Sequence, residues 1–381
     1  MNADRPVILF LHNWPARIRL QRASHHWLAA QVGFRAFVVS WRNVRVSEHG
    51  TMIRGGFEIL AQRRKRRIRR WEPVEPRVIV HRKLIWGRSE ALLARLAEVH
   101  PESVLSYHPL WKAISRKWTA ETCFRSGEKA GLEVARPVTY LIEKQDLAAC
   151  LQAVGQTRPL IFKPSAGSQC WGIRLTNPKG FSRTVAELER SRWTRYVAQE
   201  LVRQPLLYHG KKFDLRLYVL VTSFHPLRLK VYREGVARIA ARHFDPARPI
   251  DGLRELTGCS YRKRRHVRIE NVPVTEVVGY LAKQGYRVQD FWERVDTLVH
   301  DVFSCLANFA PLAQESDLAR RIYLGGIDIM MVERGDSIQL LFLETNYLPQ
   351  LNAWGVAVDR KLRAVHKSWL EDLRERCRRP S

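Results

Sequence analysis

The sequence of 381 residues lacks long apolar runs, paired cysteines and the short signatures of several enzyme classes. No stretch approaches the roughly 20 apolar residues that a membrane-spanning helix needs. The six cysteines are scattered without a CxxC pair and the histidines form no HExxH pattern, which argues against a zinc site. There is no Walker A loop, no GxGxxG fingerprint and no nucleophile elbow. We therefore expect a cytoplasmic protein with reduced thiols, whose chemistry uses other groups.

Acidic residues are scarce relative to basic ones, since 37 Asp and Glu accompany 65 Lys and Arg, a formal net charge of +28 at pH 7. The excess is concentrated in Arg63–Arg70 (RRKRRIRR), Tyr261–His266 and the C-terminal RERCRRPS. Such a field attracts polyanions, namely nucleic acid, an anionic membrane surface or an acidic polypeptide. Because no RNP or zinc-finger signature is present, nucleic acid is the weaker expectation. The predominance of Arg over Lys is typical of a GC-rich genome and favours a bacterial source.

Three oxygen-bearing side chains stand at the ends of two apolar strands. The segment Leu340–Asn352 (LLFLETNYLPQLN) presents Glu344 and Asn346 two positions apart, on one face of a strand. The run YLGGIDIMMV delivers Asp328 on the strand before it. Carboxylate and amide oxygens from neighbouring strands suit Mg²⁺, which proteins usually hold together with nucleotide phosphates. The pattern predicts a Mg²⁺ and ATP site, and the alternative is incidental polar residues at strand ends.

A second block, LIFKPSAGSQCWGI at residues 160–173, places Lys163 at the end of an apolar strand and follows it with a small, Gly-containing turn. Backbone N–H groups of such a turn approach phosphates closely, and the lysine adds a positive charge. The strand YVAQELV then carries the polar pair Gln199–Glu200, which would need partners such as an adenine edge. A solvent-facing hairpin and a water-facing edge strand are the alternatives.

The third block, Lys211–Val221 (KKFDLRLYVLV), has the strictest alternation. It places Lys212, Asp214 and Arg216 on one face of a strand and apolar side chains on the other. Three charged groups on a strongly apolar strand are costly unless they pair or bind charged ligand groups. The order therefore favours a ligand site over a solvated sheet face.

In order and spacing, the segments KPxxGS…GI, QELVxxPLL, KKFDLRLYVLVTSF, GxDIMxV and FLETNxxPxL resemble the tubulin tyrosine ligase-like family. The resemblance runs from about Arg158 to Asn352. These are ATP-grasp amino-acid ligases, so the resemblance implies an α/β (α+β) ATP-grasp fold and the cofactors ATP and Mg²⁺. It also implies that an acceptor carboxylate is activated as an acylphosphate, which an amino group then attacks to form an amide or isopeptide bond.

The family's roles carry over position by position as implications of this resemblance. Arg216 and Arg238 would contact the transferred phosphate and the acylated intermediate, and Lys163 the ATP phosphates. The remaining implied contacts are Gly167 and Ser168 in the phosphate loop, Gln199, Glu200 and Val202 at the adenine, Lys212 and Asp214 at the adenine and ribose, Asn271 near the phosphates, and Asp328, Glu344 and Asn346 on Mg²⁺.

The sequence departs from the family pattern at two places. The family's His-Leu-Thr-Asn run is matched by Arg268–Val274 (RIENVPV), which puts Asn271 at the Asn position. Gln169–Trp171 stands where the family often has Gly-Arg-Gly. Lys117 is either the family's early ATP-facing lysine or a solvated helix residue. The segment before Arg158 matches poorly, which leaves the acceptor open.

Three lobes are expected along the chain. Residues 1–115 alternate strands and helices, which predicts a pre-ATP-grasp lobe with a parallel sheet and with Arg63–Arg70 as a basic loop or helix. Residues 116–202 would form the central ATP-grasp lobe with the phosphate loop. Residues 203–381 would form the C-terminal ATP-grasp lobe with the Mg²⁺-binding strands and terminal helices.

The function that these patterns favour is ATP-dependent ligation of a free amino acid to an acidic protein or peptide. One alternative is a ligase of the same fold that acts on a small molecule or a natural-product peptide. Another is a nucleic-acid-binding or membrane-binding protein that keeps a degenerate ATP-grasp fold. Three oxygen ligands in one site argue against degeneracy, because a dead site has no physical need for them.

Overall fold

The computed structural model describes residues 5–12, 24–60, 64–82, 88–106, 114–147, 158–166, 170–258, 266–268, 270–309, 321–335, 337–347, 349–351 and 354–378. Within these ranges the chain forms four β-sheets and eight α-helices, numbered below in chain order. None of the described helices is both long and apolar enough to cross a membrane.

The first part of the chain alternates strands and helices around a parallel sheet. Its elements are β1 (Val7–His12), α1 (Ser24–Gln31), β2 (Arg35–Ser40), β3 (Val44–Ser47), β4 (Gly50–Ile53), β5 (Phe57–Ile59), β6 (Lys65–Arg67), β7 (Glu72–Val74), β8 (Pro76–Arg82), α2 (Arg88–Val99) and β9 (Val104–Ser106). The order is β6-β5-β2-β1-β8-β9, with a parallel centre and antiparallel β5 and β6. Strands β3, β4 and β7 form a small separate sheet. The predicted parallel sheet is confirmed.

The expectation that Arg63–Arg70 forms a loop or helix is wrong for residues 65–67. Lys65–Arg67 is the edge strand β6, paired with β5. The physical reason is Ile68, which is fully buried and anchors the segment to the core while its cationic neighbours remain exposed. The three residues of β6 are all exposed, so the run has no alternation of buried and exposed positions that would indicate a strand.

The second sheet is antiparallel and follows a helix. Its elements are α3 (Lys117–Glu128), β10 (Thr139–Glu143), β11 (Leu160–Pro164), β12 (Arg174–Thr176), α4 (Phe181–Glu189) and β13 (Arg195–Glu200), with sheet order β10-β13-β11-β12. Gly131 follows α3 with φ of +79°, a left-handed conformation that glycine adopts without strain.

The third sheet is also antiparallel and carries the longest strands. Its elements are β14 (Leu207–Tyr208), β15 (Lys211–Phe224), β16 (Leu227–His243), α5 (Gly252–Glu255), β17 (Glu270–Pro273), α6 (Val274–Lys283), α7 (Phe291–Ala307), β18 (Tyr323–Arg334), β19 (Ser337–Asn346) and α8 (Val356–Arg376). The order is β17-β16-β15-β18-β19, with β14 paired to β15.

Alternation along β15 assigns its side chains to two different surroundings. Phe213, Leu215 and Leu217 enter a core with α3, α6 and α7. On the opposite face, Tyr218 and Leu220 pack against the first sheet, α1 and α8. Each such fully buried side chain contributes about 1.5–3 kcal/mol to folding. The third sheet is therefore held from both sides, and the charged half of β15 is left to face the second sheet. The lobe boundaries at residues 115 and 202 stay a proposal.

Candidate active site

A cleft lies between the second and third sheets and is lined by both. It encloses about 140 Å³. The apolar part of its lining includes Ile161, Leu256 and Met330. The charged and polar part comprises Lys117, Lys163, Gln199, Glu200, Lys212, Asp214, Arg238, Glu255, Thr257, Asp328 and Glu344. A concave site that combines apolar walls with a few convergent charged groups is the usual form of a small-molecule site.

Asp328 on β18 lies at the centre of the charged network. Arg216 on β15 donates to both of its oxygens, from Nε at 2.5 Å and from Nη2 at 2.7 Å. Arg238 on β16 donates from Nη2 to Asp328 Oδ2 at 2.6 Å and grips both oxygens of Asp214 at 2.6 Å. Thr257 Oγ1 completes the set by donating to Asp214 Oδ2 at 2.5 Å. Paired, bidentate geometry of this kind is what lets charges remain in a low-dielectric site.

The network fixes the ionisation of its members. Burial opposes ionisation of Asp328, but the guanidinium groups of Arg216 and Arg238 hold the pKa of that carboxyl well below its usual range. Burial likewise opposes the charge on Arg238, yet Asp214 and Asp328 raise the pKa of Arg238 above its ordinary value. Asp328 is thus an anion at any physiological pH.

A β-bulge in β19 directs Glu344 into the cleft. Asp328 pairs with Glu344, but the next residue of β18, Ile329, pairs with Phe342, so Leu343 is the extra residue. Phe342 faces the core, and without the bulge Glu344 would face the same way. Glu344 instead forms an ion pair with Lys117, whose Nζ lies 2.9 Å from Glu344 Oε2. Although burial raises it, the pKa of Glu344 is lowered overall because Lys117 lies beside it.

Lys163 approaches the cleft from β11. Its Nζ donates to Gln199 Oε1 at 2.5 Å, and Gln199 Nε2 donates to Thr139 Oγ1 at 3.0 Å. Burial lowers the pKa of Lys163 from 10.5 to about 8, against the opposing attraction of Glu344. This hydrogen bond holds the amine in place without engaging a carboxylate. Such an amine is suited to binding an anionic ligand.

Lys212 on β15 is held more completely. Its Nζ donates to Glu255 Oε2 and to the Val202 carbonyl, both at 2.8 Å, and the side chains of Lys212 and Glu255 are each only 1% exposed. Burial lowers the pKa of Lys212, while Glu255 opposes that change. Arg203 Nη1 binds the other oxygen of Glu255 at 3.0 Å. Glu255 therefore positions two cations at one side of the cleft.

The cleft lining includes most of the side chains that the sequence indicated. Arg216 and Asn346 are not among the lining residues, although Arg216 binds Asp328, which is one of them. Gly167 and Ser168 lie outside the described residues. Asn271 pairs in register with Arg238, but its Nδ2 donates to the Trp354 carbonyl, and it is not among the residues that line the cleft.

Part of the lining was not indicated by the sequence patterns. Glu255 to Gly258 (ELTG) lies in the cleft and carries a Leu-Thr pair like that of the His-Leu-Thr-Asn run. Lys117, left open between two readings, lines the cleft. The signal that could have found Thr257 is the Leu-Thr pair itself. Glu255 gave no signal, because its partners are distant in sequence.

The donor set is compatible with Mg²⁺. Asp328 and Glu344 are cross-strand neighbours held ionised, and Asn346 follows on the same face of β19 as Glu344. Among the described residues, no group of three or more His, Cys, Asp or Glu side chains is arranged to hold a metal ion. Two carboxylates and one amide nevertheless suit Mg²⁺, which keeps several waters and shares phosphate ligands. Asp328, Glu344 and Asn346 would hold it.

Comparison with known proteins gives the same family from two directions. The model of the tubulin-tyrosine ligase family matches residues 100–372. Tubulin polyglutamylase ttll-4 of Caenorhabditis briggsae is 28% identical over 244 residues, which cover 60% of this chain and 38% of that protein. Probable tubulin polyglutamylase TTLL2 of Homo sapiens is 31% identical over 182 residues, covering 44% and 29%. The Mus musculus protein of that name is 27% identical over 280 residues, covering 70% and 50%.

These alignments span half or less of the length of each relative. All three relatives are animal proteins, and they give no support to a bacterial source. The family model covers well over half of this chain, including the second and third sheets, which line the cleft, whereas nearly all of the first sheet precedes the matched region. The chain belongs to the tubulin-tyrosine ligase family.

Proposed function

We propose that this chain is an ATP-dependent ligase that joins a free amino acid to an acidic protein or peptide through an amide or isopeptide bond. The observation that carries the proposal is the cleft between two antiparallel sheets, in which cationic side chains surround the ionised carboxylates Asp328 and Glu344. Arg216 and Arg238 pair with Asp328, and Lys117 pairs with Glu344. Lys163 and Lys212 line the same cleft.

The chain's own residues supply binding and charge stabilisation. Lys163 would bind ATP phosphates, and Arg216 and Arg238 would stabilise the charge spread over the phosphoryl group as it passes to the acceptor carboxylate. A bound Mg²⁺ would neutralise part of the phosphate charge. The acceptor carboxylate then carries the phosphoryl group, and attack by the amine at the carbonyl carbon expels phosphate.

The apolar wall beside Lys212 suits a nucleoside base. The side-chain carboxylate of Glu200 accepts a hydrogen bond from Arg158 at 2.7 Å at the rim of the cleft. The backbone of Glu200 to Val202 is therefore the part of this strand end that faces the cleft. The Val202 carbonyl already accepts from Lys212, which orders this edge. We assign adenine to this end and the phosphates to the end with Lys163 and Asp328.

Glutamate is the first amino acid to test. The relatives are named polyglutamylases of tubulin, an acceptor class that matches the surplus of cations on this chain. The alternative of a ligase for a small molecule or a natural-product peptide remains within the same chemistry. ATP, Mg²⁺, a free amino acid and an acidic acceptor are the proposed reactants.

The test is release of ADP from Mg²⁺-ATP, with each amino acid in turn and a pool of acidic peptides, followed by intact-mass analysis. We expect release that depends on one amino acid, with a matching mass gain on a peptide. Release that needs a small-molecule acceptor instead of a peptide would favour the alternative. Absence of ATP binding would refute the proposal and favour a binding protein with a degenerate site.

A further inference from the structure

The basic segment on the first sheet is divided into a structural part and a displayed part. Arg66 donates to Glu58 and, with two contacts of 2.7 and 2.6 Å, to Glu72. Glu58, which also pairs with Arg35, has a side chain only 7% exposed. Arg66 therefore neutralises buried carboxylate and serves the fold.

The remaining cations of the segment face solvent. Arg64, Lys65, Arg67, Arg69 and Arg70 are exposed, and no carboxylate in the described part of the chain forms an ion pair with any of them. Five unneutralised positive charges within seven residues create a strong local field. The segment thus attracts an anion that the protein itself does not provide here.

The backbone of β6 is also available for pairing. The Leu60 amide donates to the Arg64 carbonyl and the Ile68 amide to the Gly56 carbonyl, which places the even-numbered residues of the segment in the hydrogen-bonded pairs with β5. In an antiparallel ladder the intervening residues, Lys65 and Arg67, direct their N–H and C=O groups away from the partner. Within the described residues, no strand pairs with this outer edge.

From these contacts we infer that the outer edge of β6 docks an acidic polypeptide segment as an added antiparallel or parallel strand. Backbone groups of Lys65 and Arg67 pair only with another extended backbone, and the flanking cations select for carboxylates. A second copy of this edge is repelled by like charge, which is how cationic edges avoid self-association. The inference rests on the proposed function only for the role of the docked segment as the acceptor.

The same surface is less suited to nucleic acid. Single-stranded nucleic acids bind through aromatic side chains on which bases stack. The prominent aromatic ring beside the segment, Trp71, already carries the guanidinium groups of Arg45 and Arg54, at 4.2 and 4.9 Å from its centre. These arginines widen the cationic surface and cover the ring that a base would need.

The orientation of the edge favours a role in acceptor binding. Lys65 and Arg67 pair with Ile59 and Phe57, whose side chains belong to the face that packs against α8 and the third sheet. By strand alternation, the side chains of Lys65 and Arg67 project on that same face. Side chains of a docked segment that contact Lys65 and Arg67 would lie on the side of the first sheet that meets the sheet carrying the active-site carboxylates.

The test is binding of a short fluorescein-labelled oligoglutamate peptide to the full chain, by anisotropy and without ATP. We expect the double variant Lys65→Glu with Arg67→Glu to bind about tenfold or more weakly, because two exposed attractions become repulsions. The matched control, Lys283→Glu with Arg287→Glu, makes the same change of net charge at exposed positions elsewhere and should stay close to the parent. Equal losses in both variants would overturn the inference.

A second pair of variants tests the added strand. Arg67→Ala removes one charge, whereas Arg67→Pro also removes the outward N–H, a change that an edge strand tolerates. We expect the proline variant to bind several-fold more weakly than the alanine variant, with unchanged circular dichroism. Equal binding by the alanine and proline variants would overturn the inference. It would also be overturned if a single-stranded oligonucleotide of the same charge bound more tightly than the peptide and the Lys65→Glu with Arg67→Glu variant abolished that binding.

The outcome is separable from that of the proposed ligase activity. Oligoglutamate binding that maps to the edge, with no ADP release under any pairing, would leave the docking inference standing and refute the ligase. Ligase activity whose KM for the peptide is the same in the parent and in the Lys65→Glu with Arg67→Glu variant would refute the docking inference alone.

Discussion

Replacing Lys163 by methionine should make the protein more stable and its nucleotide binding much weaker. The burial that lowers the pKa of Lys163 from 10.5 to about 8 corresponds to about 3 kcal/mol of preference for the neutral amine. Methionine has a similar length and no charge, so the substitution removes that cost. It also removes the hydrogen bond to Gln199, which costs roughly 1–2 kcal/mol. We expect Lys163→Met to be about 1–2 kcal/mol more stable than the parent at neutral pH.

The same pKa shift also predicts how the stability of the parent changes with pH. The folded-state pKa of Lys163 lies below the unfolded value, so between pH 8 and 10.5 the unfolded chain holds a proton that the folded chain has released. Stability of the parent therefore rises with pH across that window, and this contribution is absent in Lys163→Met. The lysine faces Glu344, Lys117, Cys170 and Asp328, whose charges set the same local balance in both proteins.

Nucleotide binding should follow the opposite trend. Phosphate oxygens prefer the charged amine, so ATP affinity of the parent falls as pH rises above about 8. Loss of one charge-assisted contact corresponds to roughly 1.5–3 kcal/mol, or about 10–150-fold in affinity. In Lys163→Met this fall with pH should be absent and the affinity weak throughout.

The assays are urea unfolding and calorimetric titration with Mg²⁺-ATP, each repeated from neutral to alkaline pH. Lys283→Met is the control, because Lys283 is exposed and its removal should change neither quantity. Destabilisation of Lys163→Met by more than about 1 kcal/mol would refute the electrostatic reasoning. Parent-like ATP affinity in that variant would refute the assignment of Lys163 to the phosphates.

Four further outcomes are expected in the cleft. Asp328→Asn combined with Glu344→Gln should abolish Mg²⁺-dependent ADP release in a coupled assay, and unchanged turnover would contradict the metal assignment. Glu344→Gln alone should bind metal-free ATP more tightly than the parent but Mg²⁺-ATP more weakly, as measured by calorimetry with and without chelator. Glu255→Gln leaves Lys212 buried beside a neutral partner and should cost about 3 kcal/mol in unfolding free energy, with a raised KM for ATP; an unchanged melting temperature would contradict it. Alkylation of Cys170, which lines the cleft, should be slowed by saturating ATP, and equal rates by peptide mass analysis would place the thiol outside the nucleotide site.

Short-range patterns were sufficient to predict the strands that form the cleft. The alternation in β15 placed Lys212, Asp214 and Arg216 on one face, and the contacts of all three confirm that placement. The spacing of Glu344 and Asn346 also indicated a shared face. Such predictions succeed because side-chain direction in a strand follows a period of two over a few residues.

Features that depend on pairing between distant segments were not predictable. The bulge at Leu343 becomes visible only once β18 and β19 are in register, yet it decides that Glu344 faces the cleft instead of the core. Glu255 meets Lys212 across 43 residues and belongs to a helix of four residues, too short for any periodic signal. Asn271 lies in a segment whose local sequence resembles the family's run, but its side chain donates to the Trp354 carbonyl, and residues 255–258 line the cleft.

The charges of the cleft are balanced internally, and this balance bears on how a nucleotide can enter. Asp328 is paired with Arg216 and Arg238, and Glu344 with Lys117, so no carboxylate proposed for the metal is without a cation. ATP alone would take cations from these carboxylates and leave buried anions unpaired, which is costly. With Mg²⁺ bound alongside the phosphates, Asp328 and Glu344 would hold the metal and the cations would bind the phosphates, so every charge would keep a partner. Glu344→Gln removes one carboxylate that competes with metal-free ATP for the cations, so this substitution should strengthen binding of metal-free ATP. It also removes a proposed metal ligand, so it should weaken binding of Mg²⁺-ATP.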